Sequence, residues 1–126
     1  MIDNAWNFSP EELREWAYSD TQTVPDQDWE LAVCTSGYDS LVLELAESAE
    51  CPNNRFMTAC LYMMVGDLLH CGLSSERKQE VFNLIEKALL SKEERIIKWA
   101  EKATYIVNNP KKFVYDEWCW VSENDV

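Results

Sequence analysis

Apolar residues recur three or four positions apart along most of the chain, whereas strand-like alternation is rare. This spacing predicts about six helices. Ser9, Pro10 and Glu12 give the first a capping box with proline at its first position, and Ser91 with Glu94 suggests a second box. Residues 55–70 are apolar on almost every side, which is typical of a helix buried among others. We therefore expect an all-α, single-domain bundle over residues 1–126, built around a central helix at 55–70.

The C-terminal stretch FVYDEWCWV, residues 113–121, has a pattern that fits a strand as well as a short helix. Its density of aromatic and apolar residues predicts that it docks on the helical body in either conformation. We therefore keep two possibilities for this segment, a short helix or an extended strand, and expect it to pack on the helices in either case.

The composition agrees with a folded helical protein. The chain has 126 residues, 47% of them hydrophobic, with 3 Gly and 4 Pro, too few for the frequent turns of a β-sandwich. Five cysteines without a CxxC pair indicate free thiols in a reducing compartment. We see no leader-like start, and the longest apolar run, residues 59–65, is too short to span a bilayer. We expect a cytoplasmic protein that does not enter a membrane.

The negative charge is concentrated in the first half of the chain. Of the net charge of −12, residues 1–54 carry 12 acids and one base, for −11, and residues 55–126 carry 11 acids and 10 bases, for −1. A field of this sign repels nucleic acid and anionic membranes, and it attracts a cationic partner. We therefore expect a basic protein partner and no direct binding of nucleic acid.

Residues 9–30 hold seven carboxylates and one cation, Arg14. Glu12 belongs to the predicted cap, and Trp16 and Trp29 can act as anchors only to the extent that they are exposed. The alternative interpretation is a solvated acidic surface around core aromatic residues. The residues predicted to bind the partner are Glu11, Glu15, Tyr18, Asp20, Asp26, Asp28 and Glu30.

In size, acidity and predicted helices, the chain resembles the cytosolic immunity proteins that neutralise bacterial toxins. The resemblance implies a stoichiometric inhibitor that uses no cofactor, is not an enzyme and binds a basic toxin domain. A nuclease is the natural candidate, because carboxylates can occupy a cleft that otherwise binds phosphates. A DNA-mimic inhibitor would depend on the same charge argument.

Two other functions stay open. LELAES (43–48) and GDLLH (66–70) resemble the helical nucleotide pyrophosphohydrolases of the MazG type, which implies a Mg²⁺ site using Glu44, Glu47 and Asp67. Met64 and Leu41 stand where that family has acidic residues. The other alternative is a small helical adaptor that binds a peptide between helices 55–70 and 81–90. We predict no catalytic residues.

Overall fold

A computed structural model describes residues 2–21 and 23–118, and all regular structure in that part of the chain is helical. The all-α prediction is confirmed. None of the described helices is long and apolar enough to cross a membrane. The elements are α1 (Pro10–Ala17), α2 (Trp29–Cys34), α3 (Asp39–Glu47), α4 (Asn54–His70), α5 (Ser75–Ala88), α6 (Glu94–Asn108) and the short 3-10 helix η1 (Pro110–Lys112).

Helix α4 lies at the centre, as the sequence predicts for residues 55–70. It contacts α2, α3, α5 and α6, while α1 packs on α3. Because it is surrounded, it buries side chains on several sides at once, among them Met57, Leu61, Met64 and Val65. The all-round apolar pattern of this segment is therefore explained by its position.

One of the two predicted capping boxes forms. The Ser9 Oγ accepts a hydrogen bond from the Glu12 backbone N–H (3.1 Å), and the Glu12 carboxylate accepts one from the Ser9 backbone N–H (2.9 Å). The box expected at the start of α6 is wrong. There the Ser91 hydroxyl accepts from the Glu93 N–H and donates to Glu47 of α3 (2.7 Å), so a contact between distant segments replaces the local cap.

An aromatic cluster joins α1, α2 and the start of α4. The ring centroid of Trp16 lies 4.7 Å from that of Trp29 and 5.0 Å from that of Phe56, and Phe8 lies 5.3 Å from Trp29. Trp16 and Trp29 are 8% and 0% exposed. Both tryptophans therefore belong to the core and cannot act as anchors for a partner.

The C-terminal segment packs against α4, as predicted, through residues 113–118. Residues 115–118 form a helical turn and not a strand, and Trp118 Nε1 donates to the Tyr62 carbonyl (2.6 Å). The Tyr115 ring packs next to Gly66, where a Cβ would lie 3.4 Å from it, at ordinary van der Waals distance. Residues 119–121 of the predicted segment lie outside the described residues.

Candidate protein-binding face

Three of the predicted binding residues lie along one side of α1. Glu11, Glu15 and Tyr18 are four and three positions apart, which places them on one helical stripe. All three are exposed, and Tyr18 exposes 44% of its surface. Asp20 is exposed just beyond the end of the helix. The structure therefore brings four of the seven predicted residues to α1 and its C-terminal end.

Arg14, the one cation of residues 1–54, lies on the same stripe and is already paired. Its guanidinium donates to the carboxylate of Glu44 on α3. The hydrogen bond and charge of Glu44 raise the pKa of Arg14, with smaller contributions from Tyr18 and Glu11. The Tyr18 hydroxyl donates to Ser48 Oγ (3.1 Å), a second link from α1 toward the end of α3. Arg14 and Tyr18 therefore link the α1 stripe to α3, and the positive charge of Arg14 is compensated by Glu44.

The other three predicted residues surround the start of α2. Asp26 accepts from Trp6 Nε1 (3.0 Å) and from the Gln27 backbone N–H (2.7 Å). Asp28 precedes the helix in the left-handed conformation (φ 56°), and its side chain does not cap the helix. Glu30 is half-buried in the first turn. The seven residues thus form two groups, one on α1 and one at the start of α2.

A cavity of about 500 Å³ lies between α1 and residues 23–25. Glu15 of the first group lines it, and so does Pro25, which immediately precedes Asp26 of the second group. Trp16 also lines the cavity, and its Nε1 donates to the Thr23 carbonyl (3.2 Å), which holds the segment after α1 against the aromatic cluster. Glu15 of the first acidic group therefore lines this cavity, whereas Asp26, Asp28 and Glu30 of the second group do not.

Sequence reasoning missed Trp6. It is 52% exposed, and its indole N–H is bonded to Asp26, so an aromatic side chain accompanies the acidic group at α2. The segment before α1 has no helical periodicity from which its orientation could be predicted. The one signal in the sequence for the exposure of Trp6 was that it belongs to none of the predicted apolar stripes.

The carboxylates of the pyrophosphohydrolase alternative have separate partners. Glu44 is paired with Arg14, Glu47 accepts from Ser91, and Asp67 lines a different pocket beside Arg77. Across residues 2–21 and 23–118, no three His, Cys, Asp or Glu side chains are grouped so that they could hold a metal ion.

The helix pair of the adaptor alternative is α4 and α5. Helices α3 and α6 each contact both members of this pair. The protein's own helices therefore lie against the pair on which that alternative places a peptide.

The chain matches no family model, and no curated protein or solved structure matches it either. Any assignment of function must therefore come from the geometry and charge of the chain itself.

Proposed function

We propose that this protein is a stoichiometric inhibitor, an immunity protein that binds and neutralises a basic toxin domain. Its binding surface, here termed the acidic face, comprises the seven predicted residues on α1 and at the start of α2. The observation that carries the proposal is the ion pair between Arg14 and Glu44. Arg14 is the one Lys or Arg of residues 1–54 and lies on the α1 stripe, and its charge is already compensated by a residue outside the acidic face.

Several carboxylates of this face are available to a partner. Glu11, Asp20, Asp28 and Glu30 form no side-chain hydrogen bond or ion pair with any residue that the structure describes. A Lys or Arg of a partner can therefore pair with them without first breaking a contact within the fold. Opposite charges also steer the encounter and increase the association rate.

Aromatic side chains add contact area to the charge. Tyr18 and Trp6 are exposed, one beside each acidic group, and Tyr and Trp are enriched among the residues that dominate binding energy at interfaces. The combination favours a folded basic protein over a simple polycation, since flat aromatic surface needs a complementary surface. If the toxin is a nuclease, the carboxylates would take the place of nucleic-acid phosphates, which includes the DNA-mimic variant of the proposal.

The test begins with co-expression of the protein encoded beside this gene, followed by rescue of growth and affinity measurements at low and high salt. The face variant replaces Glu11, Glu15, Asp20 and Asp28 with Gln or Asn. The control variant removes the same number of charges from exposed sites on α5 and α6: Glu76, Glu86, Glu94 and Glu101, each changed to Gln.

We expect the face variant to lose rescue and to associate about tenfold more slowly or worse, with a shallower salt dependence. The control variant should keep rescue and most of its association rate. Equal effects of the two variants would contradict the location of the face. Absence of a salt-sensitive complex with a basic neighbour would contradict the inhibitor function.

A further inference from the structure

We propose that Cys34 and Cys60 form a redox-sensitive site, at which hydrogen peroxide converts the two thiols into a disulfide that joins α2 to α4. The inference is independent of the proposed function, because it uses no residue of the acidic face. In a reducing compartment, disulfides are usually transient and serve catalysis or redox sensing, so a thiol pair that an oxidant can reach belongs to that class.

The fold holds these two thiols side by side. The cysteines that the structure describes are all free, and Cys34 and Cys60 are both buried. Cys34 is the last residue of α2, Cys60 lies within α4, and the two helices pack together. The Cys34 S–H donates to the Cys60 backbone carbonyl (3.3 Å), and the two thiols are also hydrogen-bonded to each other. Rotation of the side chains is then enough to bring the sulfur atoms together, since a disulfide needs two cysteines that already face each other.

A small cavity gives an oxidant access to one of the two thiols. Its volume is about 190 Å³, and Cys34 lines it together with Asp67 and Arg77. Thr35, which also lines it, is exposed, so the cavity opens to solvent. Cys60 is fully buried and does not line it. Hydrogen peroxide is little larger than water and fits this space, so it meets Cys34 first, with Cys60 behind.

The environment of the thiols agrees with this order. The thiolate is the reactive form of cysteine. Burial raises the pKa of the Cys60 thiol well above its ordinary value, and the neighbouring Cys34 adds to the increase. Cys60 therefore stays protonated, which makes Cys34 the attacking thiol and Cys60 the resolving thiol.

The reaction takes two steps. The Cys34 sulfur attacks one oxygen of hydrogen peroxide, so that an S–O bond forms and the O–O bond breaks. The hydroxide that leaves takes up the proton of the Cys34 thiol and becomes water, and Cys34 becomes a sulfenic acid. The Cys60 sulfur then attacks the Cys34 sulfur; an S–S bond forms, the S–O bond breaks, and the departing hydroxyl leaves as water with the Cys60 proton. Two thiols are oxidised, and one peroxide is reduced to two waters.

The test treats the full chain with hydrogen peroxide, alkylates the remaining thiols with N-ethylmaleimide in urea, and maps the peptides by mass spectrometry. We expect a linked peptide pair that contains Cys34 and Cys60 and that dithiothreitol separates. Cys51 is the matched control. It is equally buried, but its thiol donates to the Ala17 carbonyl (3.2 Å) and not to a second cysteine residue. The pair should form at least about tenfold faster than Cys51 is oxidised, because the fold gives only Cys34 both access and a resolving thiol.

Two variants and a larger oxidant test the assigned roles. Cys60→Ser should leave Cys34 as a sulfenic acid that dimedone traps, whereas Cys34→Ser should leave Cys60 reduced. Circular dichroism checks that both variants fold, and the peptide map of the wild type needs neither of them. Oxidised glutathione is too large for the cavity, so at the same concentration it should not produce the disulfide.

Three results would overturn the inference. The first is that Cys34 and Cys60 both remain reduced after the exposed Cys71 has been fully oxidised. The second is oxidation of Cys51 as fast as that of Cys34, which would mean that the thiols react only through unfolding. The third is formation of the disulfide by oxidised glutathione as fast as by peroxide, which would contradict entry through the cavity. None of these results bears on the acidic face, so the proposed function stands or fails separately.

Discussion

The ion pair between Asp39 and Arg77 allows a quantitative test of how burial sets the value of a charge contact. It connects the start of α3 to α5. Arg77 Nη1 donates to Asp39 Oδ2, and Nη2 donates to Asp39 Oδ1 (3.1 Å) and to the Cys34 carbonyl (3.0 Å). The side chains of Arg77 and Asp39 are 21% and 15% exposed. Asp39→Ala would therefore leave a largely buried guanidinium without its bidentate partner.

We expect Asp39→Ala to lower the free energy of unfolding by about 2–3 kcal/mol. Removing one partner of a buried pair costs about 3–5 kcal/mol, whereas exposed pairs contribute about 0–1 kcal/mol. The value falls between these limits because Arg77 keeps some solvent exposure and a weaker contact with Glu80 at 3.3 Å. For a chain of this length, the melting temperature should fall by roughly 6–15 °C.

The pair between Arg14 and Glu44 is a matched control. It has the same carboxylate–guanidinium chemistry and also joins two helices, but its side chains are 51% and 57% exposed. Glu44→Ala should cost at most about 0.5–1 kcal/mol, because solvent screens the charges and the side chains lose entropy on pairing. Burial is then the main difference between the two experiments.

Urea unfolding followed by circular dichroism measures both effects, and the double-mutant cycle of Asp39→Ala with Arg77→Ala isolates the pair. The cycle matters because Asp39 also lies in the first turn of α3, where a carboxylate is favoured by the helix dipole. We expect a coupling energy of about 2 kcal/mol. A coupling below about 0.5 kcal/mol, or a Glu44→Ala effect as large as that of Asp39→Ala, would refute the reasoning.

Two further substitutions test the environment of α4. Burial raises the pKa of Asp67, and the charges of Arg77 and His70 offset this only in part. The native state therefore binds this proton more strongly than the unfolded chain, so the group lowers stability as pH rises through its native pKa. Asp67→Asn should raise the melting temperature at pH 7 and lose that advantage below about pH 3.9; a drop at pH 7 would contradict this. Gly66→Ala should stabilise the protein by about 0.5–1 kcal/mol in urea unfolding, since alanine favours the helix and its Cβ would make ordinary contacts. Gly66→Leu is the contrasting variant, and equal stabilisation by it would contradict the close packing of Tyr115.

The sequence was sufficient for elements whose signals are local. The capping box at Ser9 and the apolar pattern of residues 55–70 are complete within one segment, and both predictions hold. The predicted stripe of α1 also explains why Trp16 is buried while Tyr18, two residues further on, is exposed, since about 200° of helix rotation separates them.

One prediction failed because a side chain expected to form a local helix cap is instead hydrogen-bonded to a residue distant in the sequence. The Ser91 hydroxyl is bonded to Glu47, 44 positions earlier in the chain, and so the capping box that the sequence suggests is not made. No local pattern around residues 91–94 contains the information about this outcome.

For the candidate site as well, the features that depend on local sequence could be predicted and the contacts between distant residues could not. Charge counting was enough to locate the acidic excess in residues 1–54. It could not show that Glu44 pairs with Arg14 from 30 positions away, or that Asp39 pairs with Arg77 from 38. The cavity beside Trp16 depends on where residues 23–25 pack, which the apolar pattern of α1 alone does not determine.

The acidic excess should have opposite consequences for folding and for binding, and this offers a last test. If the carboxylates of the acidic face repel one another, the protein should become more stable as salt rises from about 0.01 to 0.1 M, because the screening length falls from about 30 to 10 Å. The face variant should then exceed wild type by about 1 kcal/mol at low salt and lose most of that gain at high salt, as measured by urea unfolding. The control variant on α5 and α6 removes as many charges from a region of nearly balanced charge, and it should gain less. If the face variant is instead less stable than wild type at low salt, the carboxylates stabilise the fold itself. Their concentration in residues 1–54 would then no longer argue for a basic partner.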